Sequence, residues 1–206
     1  MRPLSLAVVI ALSGCATVTP PPAPPSLGVD LVSRSAWGAL PPQGAMPAHT
    51  PSGLTIHHTA TPQRHDADPR ATMRSLQHFS VSSDTLDDGE PKLPWADVPY
   101  HFYIAPDGTT LEGRDPRVQG DSNTDYDLDG QIQIAVEGNF MEEVPTPAQM
   151  ASLLALSQAL ARRYRIEPEA VGGHRDRATG QTTCPGDALA VELDAVRDAV
   201  RRGSGG

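Results

Sequence analysis

What constrains this chain most is a set of three short pieces that only a fold can bring together. Leu54-Thr55-Ile56-His57-His58-Thr59-Ala60 lies early in the chain; Val171-Gly172-Gly173-His174-Arg175-Asp176 and Cys184-Pro185-Gly186-Asp187 lie near its end. Two imidazoles and one thiolate make a three-donor set. Such a set suits zinc with a fourth position left open, the pattern of a catalytic rather than a structural site. Any fold for this chain must place a strand-like segment around His57 beside a loop that carries both His174 and Cys184.

Side-chain parity narrows the arrangement. Residues 54–58 read as a short strand with Leu54, Ile56 and His58 on one face and Thr55 and His57 on the other. Leu54 and Ile56 belong in the core, so His57 faces the opposite, open side and is preferred to His58 as the donor. Gln131 to Glu137 divides in the same way: Ile132, Ile134 and Val136 against Gln133, Ala135 and Glu137. Tyr100 to Ala105 and Thr109 to Gly113 form a hairpin around the turn Pro106-Asp107-Gly108.

Helices fill in the rest. Asp68-Pro69 opens one that runs to about Val81, with Met73, Leu76 and Phe79 against the sheet. Thr146-Pro147-Ala148-Gln149 is a capping box with proline at the first helical position, and its helix runs to about Tyr164. A last helix starts near Asp187 and buries Leu189, Leu193, Val196 and Val200. Residues 82–97 and 114–130 are loops, and the acids of the second (Asp121, Asp125, Asp127, Asp129) read as solvated, since the closing glutamate of a calcium loop is missing. The expected fold is a single α/β domain: a mixed central sheet with helices packed mainly on one face and a zinc-bearing groove on the other.

The 206 residues carry a net charge of −9, which argues against nucleic acid as a partner. Residues 1–14 have the layout of an export signal, with Arg2 ahead of an apolar run from Leu4 to Leu12 too short to span a bilayer. The run ends in Leu12-Ser13-Gly14-Cys15, which resembles a bacterial lipobox and implies a lipidated Cys15 at the outer membrane, facing the periplasm. Residues 15–29, with five prolines, read as an extended tether. The folded domain is expected over 30–202, as a monomer, with a flexible tail at 203–206.

Read together and in order, the motifs resemble a known family. They are Ser33-Arg34-Ser35-Ala36-Trp37-Gly38-Ala39, Ile56-His57-His58-Thr59-Ala60, Asp97-Val98-Pro99-Tyr100-His101-Phe102, Glu137-Gly138-Asn139-Phe140, Gly173-His174-Arg175-Asp176 and Thr182-Thr183-Cys184-Pro185-Gly186. They look like the type-2, zinc-dependent N-acetylmuramoyl-L-alanine amidases, relatives of the peptidoglycan recognition proteins and the phage lysozyme-type amidases. The resemblance implies zinc on His57, His174 and Cys184, with Tyr100 and Thr182 as helpers. It implies peptidoglycan or its muropeptide fragments as substrate, cut between N-acetylmuramic acid and L-alanine for cell-wall turnover or remodelling.

Three points stay open on the residues themselves. Tyr100 shares parity with Phe102 and Ile104, which favours His101 as the groove-facing residue. Glu137 could act as a base, although the glutamate of some relatives aligns with Ala135 instead. Gly120-Asp121-Ser122-Asn123 stands where many relatives have Gly-Ala-His. The rival reading is a recognition module that binds wall fragments without cutting them; its inactive members commonly have serine in place of the ligand cysteine, and this chain has Cys184.

Overall fold

The computed structural model describes residues 27–85, 89 and 91–204. The expected export signal, the lipidated Cys15 and most of the 15–29 tether lie outside the described residues. In chain order the elements are α1 (Arg34–Trp37), β1 (Gly53–His58), α2 (Pro69–Val81), β2 (Asp84–Thr85), β3 (Pro91–Lys92), β4 (Phe102–Ile104), β5 (Thr110–Glu112), β6 (Gln131–Val136), α3 (Pro147–Tyr164), β7 (Val171–Gly173), α4 (His174–Arg177), α5 (Asp187–Ala190) and α6 (Leu193–Ser204).

The main sheet has the order β5-β4-β6-β1-β7. β1 runs parallel to both β6 and β7, and β4 parallel to β6, while β5 closes the edge as an antiparallel hairpin with β4. The register sets His57 opposite Ala135, and Ala135 opposite Tyr103. The expected parity holds: Leu54, Ile56, Ile132, Ile134, Val136, Phe102 and Ile104 form one buried face, packed against Leu153, Leu156 and Leu160 of α3 and Val196 and Val200 of α6. The α3 capping box is present, with Thr146 Oγ1 accepting from Gln149 N at 3.0 Å and Gln149 Oε1 accepting from Thr146 N at 3.0 Å.

The other face carries a smaller cluster of Trp37, Met73, Val98, Tyr103, Leu111 and Ala135. Here α1 and α2 sit against β5 and cover that end of the sheet, leaving the β1–β7 end for the ligand-bearing loops. Phe79 departs from expectation: it is 41% exposed rather than on the sheet. Steps of three residues drift back about 60° each around a helix, so a line that starts at buried Met73 has left the core by Phe79. Its ring instead flanks the Lys92 ammonium at 5.0 Å, with Trp95 on the other side at 5.0 Å. Lys92 donates to the carbonyls of Ser80, Ser82 and Leu93 and so pins the β2–β3 hairpin to the end of α2.

Both ends of the domain extend past the expected boundaries. Leu27 and Val29 pack on the main core, ahead of residue 30. At the other end, the expected single helix is split into α5 and α6 around Val191 and Glu192, and α6 continues to Ser204, past the expected start of the tail at 203. Gly203 is buried against α3, where an added Cβ would lie 2.5 Å from the Gln158 carbonyl oxygen and 3.1 Å from Ala161 Cβ. Helix propensity alone favours alanine over glycine by about 1 kcal/mol. The contact with fixed backbone reverses that sign, so Gly203→Ala should lower unfolding stability by about 1–2 kcal/mol. Urea unfolding reads this directly, and an unchanged or higher midpoint would show that the end of α6 is not docked.

Candidate metal centre

The centre is built where two parallel strands end side by side. β7 pairs with β1 so that Gly173 lies opposite Ile56. The next residue on each strand is therefore a histidine: His57 on β1, and His174 at the start of α4. Their rings stand 4.5 Å apart between centroids. Parity chose His57 over His58, and the fold agrees in placing His57 on the face opposite the main core.

The cysteine comes in over these strand ends because two glycines permit close approach. A Cβ on Gly173 would sit 2.6 Å from Cδ of Pro185. Gly186 has φ of +86°, and its Cβ would sit 2.5 Å from the Phe140 carbonyl carbon. The loop is further held by Arg175 N donating to the Cys184 carbonyl at 2.7 Å and by the Arg175–Asp187 ion pair at 2.6 Å. Asp176 accepts from Gly173 N at 2.7 Å. The Cys184 sulfur then receives the His58 backbone N–H at 3.3 Å and lies 3.7 Å from His57 Nδ1.

One donor atom from each of His57, His174 and Cys184 lies within 4.8 Å of the others. All three side chains are buried. Burial, reinforced by the neighbouring His174 and His58, holds the His57 pKa well below its ordinary value. Burial with His58 nearby lowers His174 to about 4, and burial pushes the Cys184 thiol up to about 12. At neutral pH both imidazoles are therefore uncharged and have lone pairs to give. Among the described residues, His57 Nε2 is also buried with no hydrogen-bond partner. Two neutral imidazoles and a soft sulfur, clustered and dry, fit a zinc ion.

The other candidates fall into place around this trio in different ways. Tyr100 lies just before β4, so strand alternation does not govern it, and its ring comes within 5.2 Å of the His57 ring. Burial and the neighbouring Cys184 push its phenol well above the usual tyrosine range. His101, the rival by parity, is fully buried elsewhere: Nδ1 accepts from Gln133 N at 2.8 Å, and Nε2 is 2.9 Å from the Val118 carbonyl. It braces a loop against the sheet. Thr182 accepts from Cys184 N at 3.1 Å, which leaves its hydroxyl proton available.

Glu137 is buried at the end of β6 with both carboxylate oxygens engaged. Tyr103 donates to one at 2.5 Å; the Arg64 backbone N and Nε donate to the other at 3.2 and 3.0 Å. Among the described residues, no hydrogen bond joins it to His57, His174 or Cys184. His58 is buried beside the trio, its Nδ1 accepting from Phe140 N at 3.2 Å.

Sequence reasoning missed the residues that close over His174. Thr124 Oγ1 lies 2.5 Å and Ser122 Oγ 3.3 Å from His174 Nε2, and the Tyr126 ring is 5.2 Å from the His174 ring. A signal was present: in 122–129 the exposed acids Asp125, Asp127 and Asp129 alternate with the half-buried Ser122, Thr124, Tyr126 and Leu128. That is the alternation of an extended segment lying across a surface.

Comparison with known proteins bears on the family and the fold. Residues 47–187 match the family described as N-acetylmuramoyl-L-alanine amidase. The chain is 31% identical over 165 residues to peptidoglycan-recognition protein SD of Drosophila simulans, covering 78% of this chain and 82% of that one. The crystal structure of Drosophila peptidoglycan recognition protein SD superposes with a TM-score of 0.67 at 29% identity, over 81% of this chain and 94% of the other. The endolysin N-acetylmuramoyl-L-alanine amidase LysCS from Clostridium intestinale superposes at 0.59 with 30% identity, over 81% and 93%. A human peptidoglycan recognition protein in complex with glycosamyl muramyl pentapeptide does so at 0.65 with 28% identity, over 80% and 94%. The family match spans more than half of the chain and contains all three donor residues: this chain belongs to the N-acetylmuramoyl-L-alanine amidase family, whose relatives include the peptidoglycan recognition proteins.

Proposed function

We propose that the protein is a zinc-dependent amidase of peptidoglycan or its fragments, cutting the amide between the lactyl group of N-acetylmuramic acid and L-alanine of the stem peptide. The observation that carries this reading is the convergence of Cys184 with His57 and His174. A module that only binds wall fragments has no need of a third, sulfur donor beside two neutral imidazoles. His57, His174 and Cys184 would hold the zinc, which when bound supplies a Lewis acid and an activated water at neutral pH.

The remaining steps fall to this chain's own side chains. Tyr100 keeps its phenolic proton throughout the neutral range, so it acts as a donor to the developing oxyanion and not as a base. Thr182, its oxygen already accepting from Cys184 N, has its hydroxyl proton to donate as a second such group. Glu137 enters as the anchor of Tyr103 and Arg64. We further propose that Cys15 is lipidated and tethers the domain to the outer membrane, facing the periplasm; Cys15→Ser should then move the protein from the membrane to the soluble fraction.

Digestion of muropeptides by the purified protein, read by mass spectrometry, is the direct test. Stem peptides beginning with L-alanine should appear, vanish with chelator and return with zinc. His174→Ala and Cys184→Ser should lose both the metal and the activity, while Tyr100→Phe should keep the metal and lower kcat by about 10²-fold. Binding of muropeptides without cleavage by the zinc-loaded protein would replace the amidase with a recognition module.

The buried donors also make the metal-free protein acid-sensitive. His57, His58, His101 and His174 all have pKa values lowered by burial, the last three to about 4. In the unfolded chain they titrate near pH ~6.5. Below that pH the unfolded state binds protons that the folded state refuses, so stability is lost as pH falls from 6.5 towards 4. In chelator, unfolding stability should drop by about 2 kcal/mol or more between pH 7 and pH 5, a Tm lower by about 5 °C. Equal Tm values at the two pH values would rule out neutral, buried histidines.

A further inference from the structure

The segment around residues 121–126 is fastened to the ligand loop at two places. Asp125 N donates to Gln181 Oε1 at 2.8 Å, and Gln181 Nε2 donates back to the Asp125 carbonyl at 3.0 Å. Beside this clamp, Thr124 Oγ1 lies 2.5 Å from His174 Nε2 and Ser122 Oγ 3.3 Å from the same atom. The two hydroxyls are 2.8 Å apart, and Thr124 N donates to Ser122 Oγ at 3.1 Å. The Tyr126 ring lies tilted beside His174, 5.2 Å between centroids, while its hydroxyl donates to Gln133 Oε1 at 3.3 Å. His174 Nε2 is thus engaged by side chains from a different part of the chain.

An imidazole that coordinates a metal uses one nitrogen and carries a proton on the other, and the acceptor of that proton fixes both tautomer and ring orientation. We infer that Thr124 is the positioning residue for His174: its hydroxyl accepts the Nε2 proton and leaves Nδ1 bare as the donor to the metal. Ser122 backs Thr124 by hydrogen bonding to its hydroxyl. The inference rests on the zinc reading above, but it makes a claim about His174 that holds in the metal-free protein as well.

The test uses the purified full chain and the variants Thr124→Val, which keeps shape and removes the hydroxyl, and Thr124→Ser, which restores it. Zinc affinity is measured by chelator competition, and the His174 tautomer by ¹⁵N chemical shifts in the metal-free protein. Thr124→Val should weaken zinc binding about 10- to 100-fold, with a metal-free Tm close to that of the parent. Thr124→Ser should bind zinc like the parent. The parent should show a dominant Nε2–H tautomer, and Thr124→Val a mixture. Zinc binding by Thr124→Val as tight as the parent's, or tighter, would overturn the inference, because Thr124 would then be bystander or competitor at a metal held by Nε2. A dominant Nδ1–H tautomer in the parent would overturn it without any variant. If no form bound zinc, the zinc reading would fall, and the tautomer measurement would still decide the role of Thr124.

Discussion

The parallel pairing of β7 with β1 is the interaction on which the rest depends. It places Gly173 opposite Ile56, so the two chain positions that follow are neighbours at the ends of their strands. Backbone hydrogen bonds between the two strands thus bring His57 and His174 together. The strand needs a glycine at its last position because the Pro185 ring lies where a Cβ would be. That same close approach lays the Cys184 loop over the strand ends. Backbone register and two glycines thus set the geometry of the donor set, and the donors themselves add little to holding it.

This matters because the groove face of the sheet is unusually polar for a buried surface. Thr55, His57, Gln133 and Glu137 are all buried there. Such groups are costly unless hydrogen-bonded, and the loops supply the partners. Glu137 takes Tyr103 and Arg64; Gln133 takes the Tyr126 hydroxyl; His101 ties the Gln133 backbone to Val118. Arg114 is the largest such commitment. Nearly fully buried, it donates to the carbonyls of Val98, Asp97 and Gln119 and pairs with Asp121 at 2.5 Å. It binds the start of the 114–130 loop to the segment that carries Tyr100. The acidic loop is consequently not free-standing: Asp121 is paired with buried Arg114, while Asp115, Asp125, Asp127 and Asp129 are exposed.

How much of this could be read from the sequence follows from the range of the interactions. Period-two alternation in 54–58 and 131–137 is local, and it identified the faces of β1 and β6 and put His57 on the face opposite the main core. The α3 cap is local too. Phe79 failed because a spacing of three was read as a straight line on a helix that turns every 3.6 residues. Tyr100 looked wrong by parity because alternation was extended two residues beyond where β4 begins. Ser122 lies in the stretch where many relatives have Gly-Ala-His, but the contact of Thr124 with His174, fifty residues on, has no motif of its own. Only the alternation of acids with neutral residues hinted that this loop lies along a surface.

If the proposed zinc reading holds, the third metal donor in this chain is a single sulfur, that of Cys184. The Cys184 backbone is held by Arg175 N, by the Thr182 hydroxyl and by the close packing of Gly173 and Gly186, none of which uses the side chain. A serine at this position would keep those contacts and lose the soft donor. The loop would remain in place, Tyr100 and Thr182 would still border the site, and the fold would still offer a groove at the strand ends. Metal binding would suffer because two imidazoles alone make a poor zinc site. On the proposed zinc reading, Cys184 is the side chain whose loss would remove metal binding while leaving the loop and the groove in place.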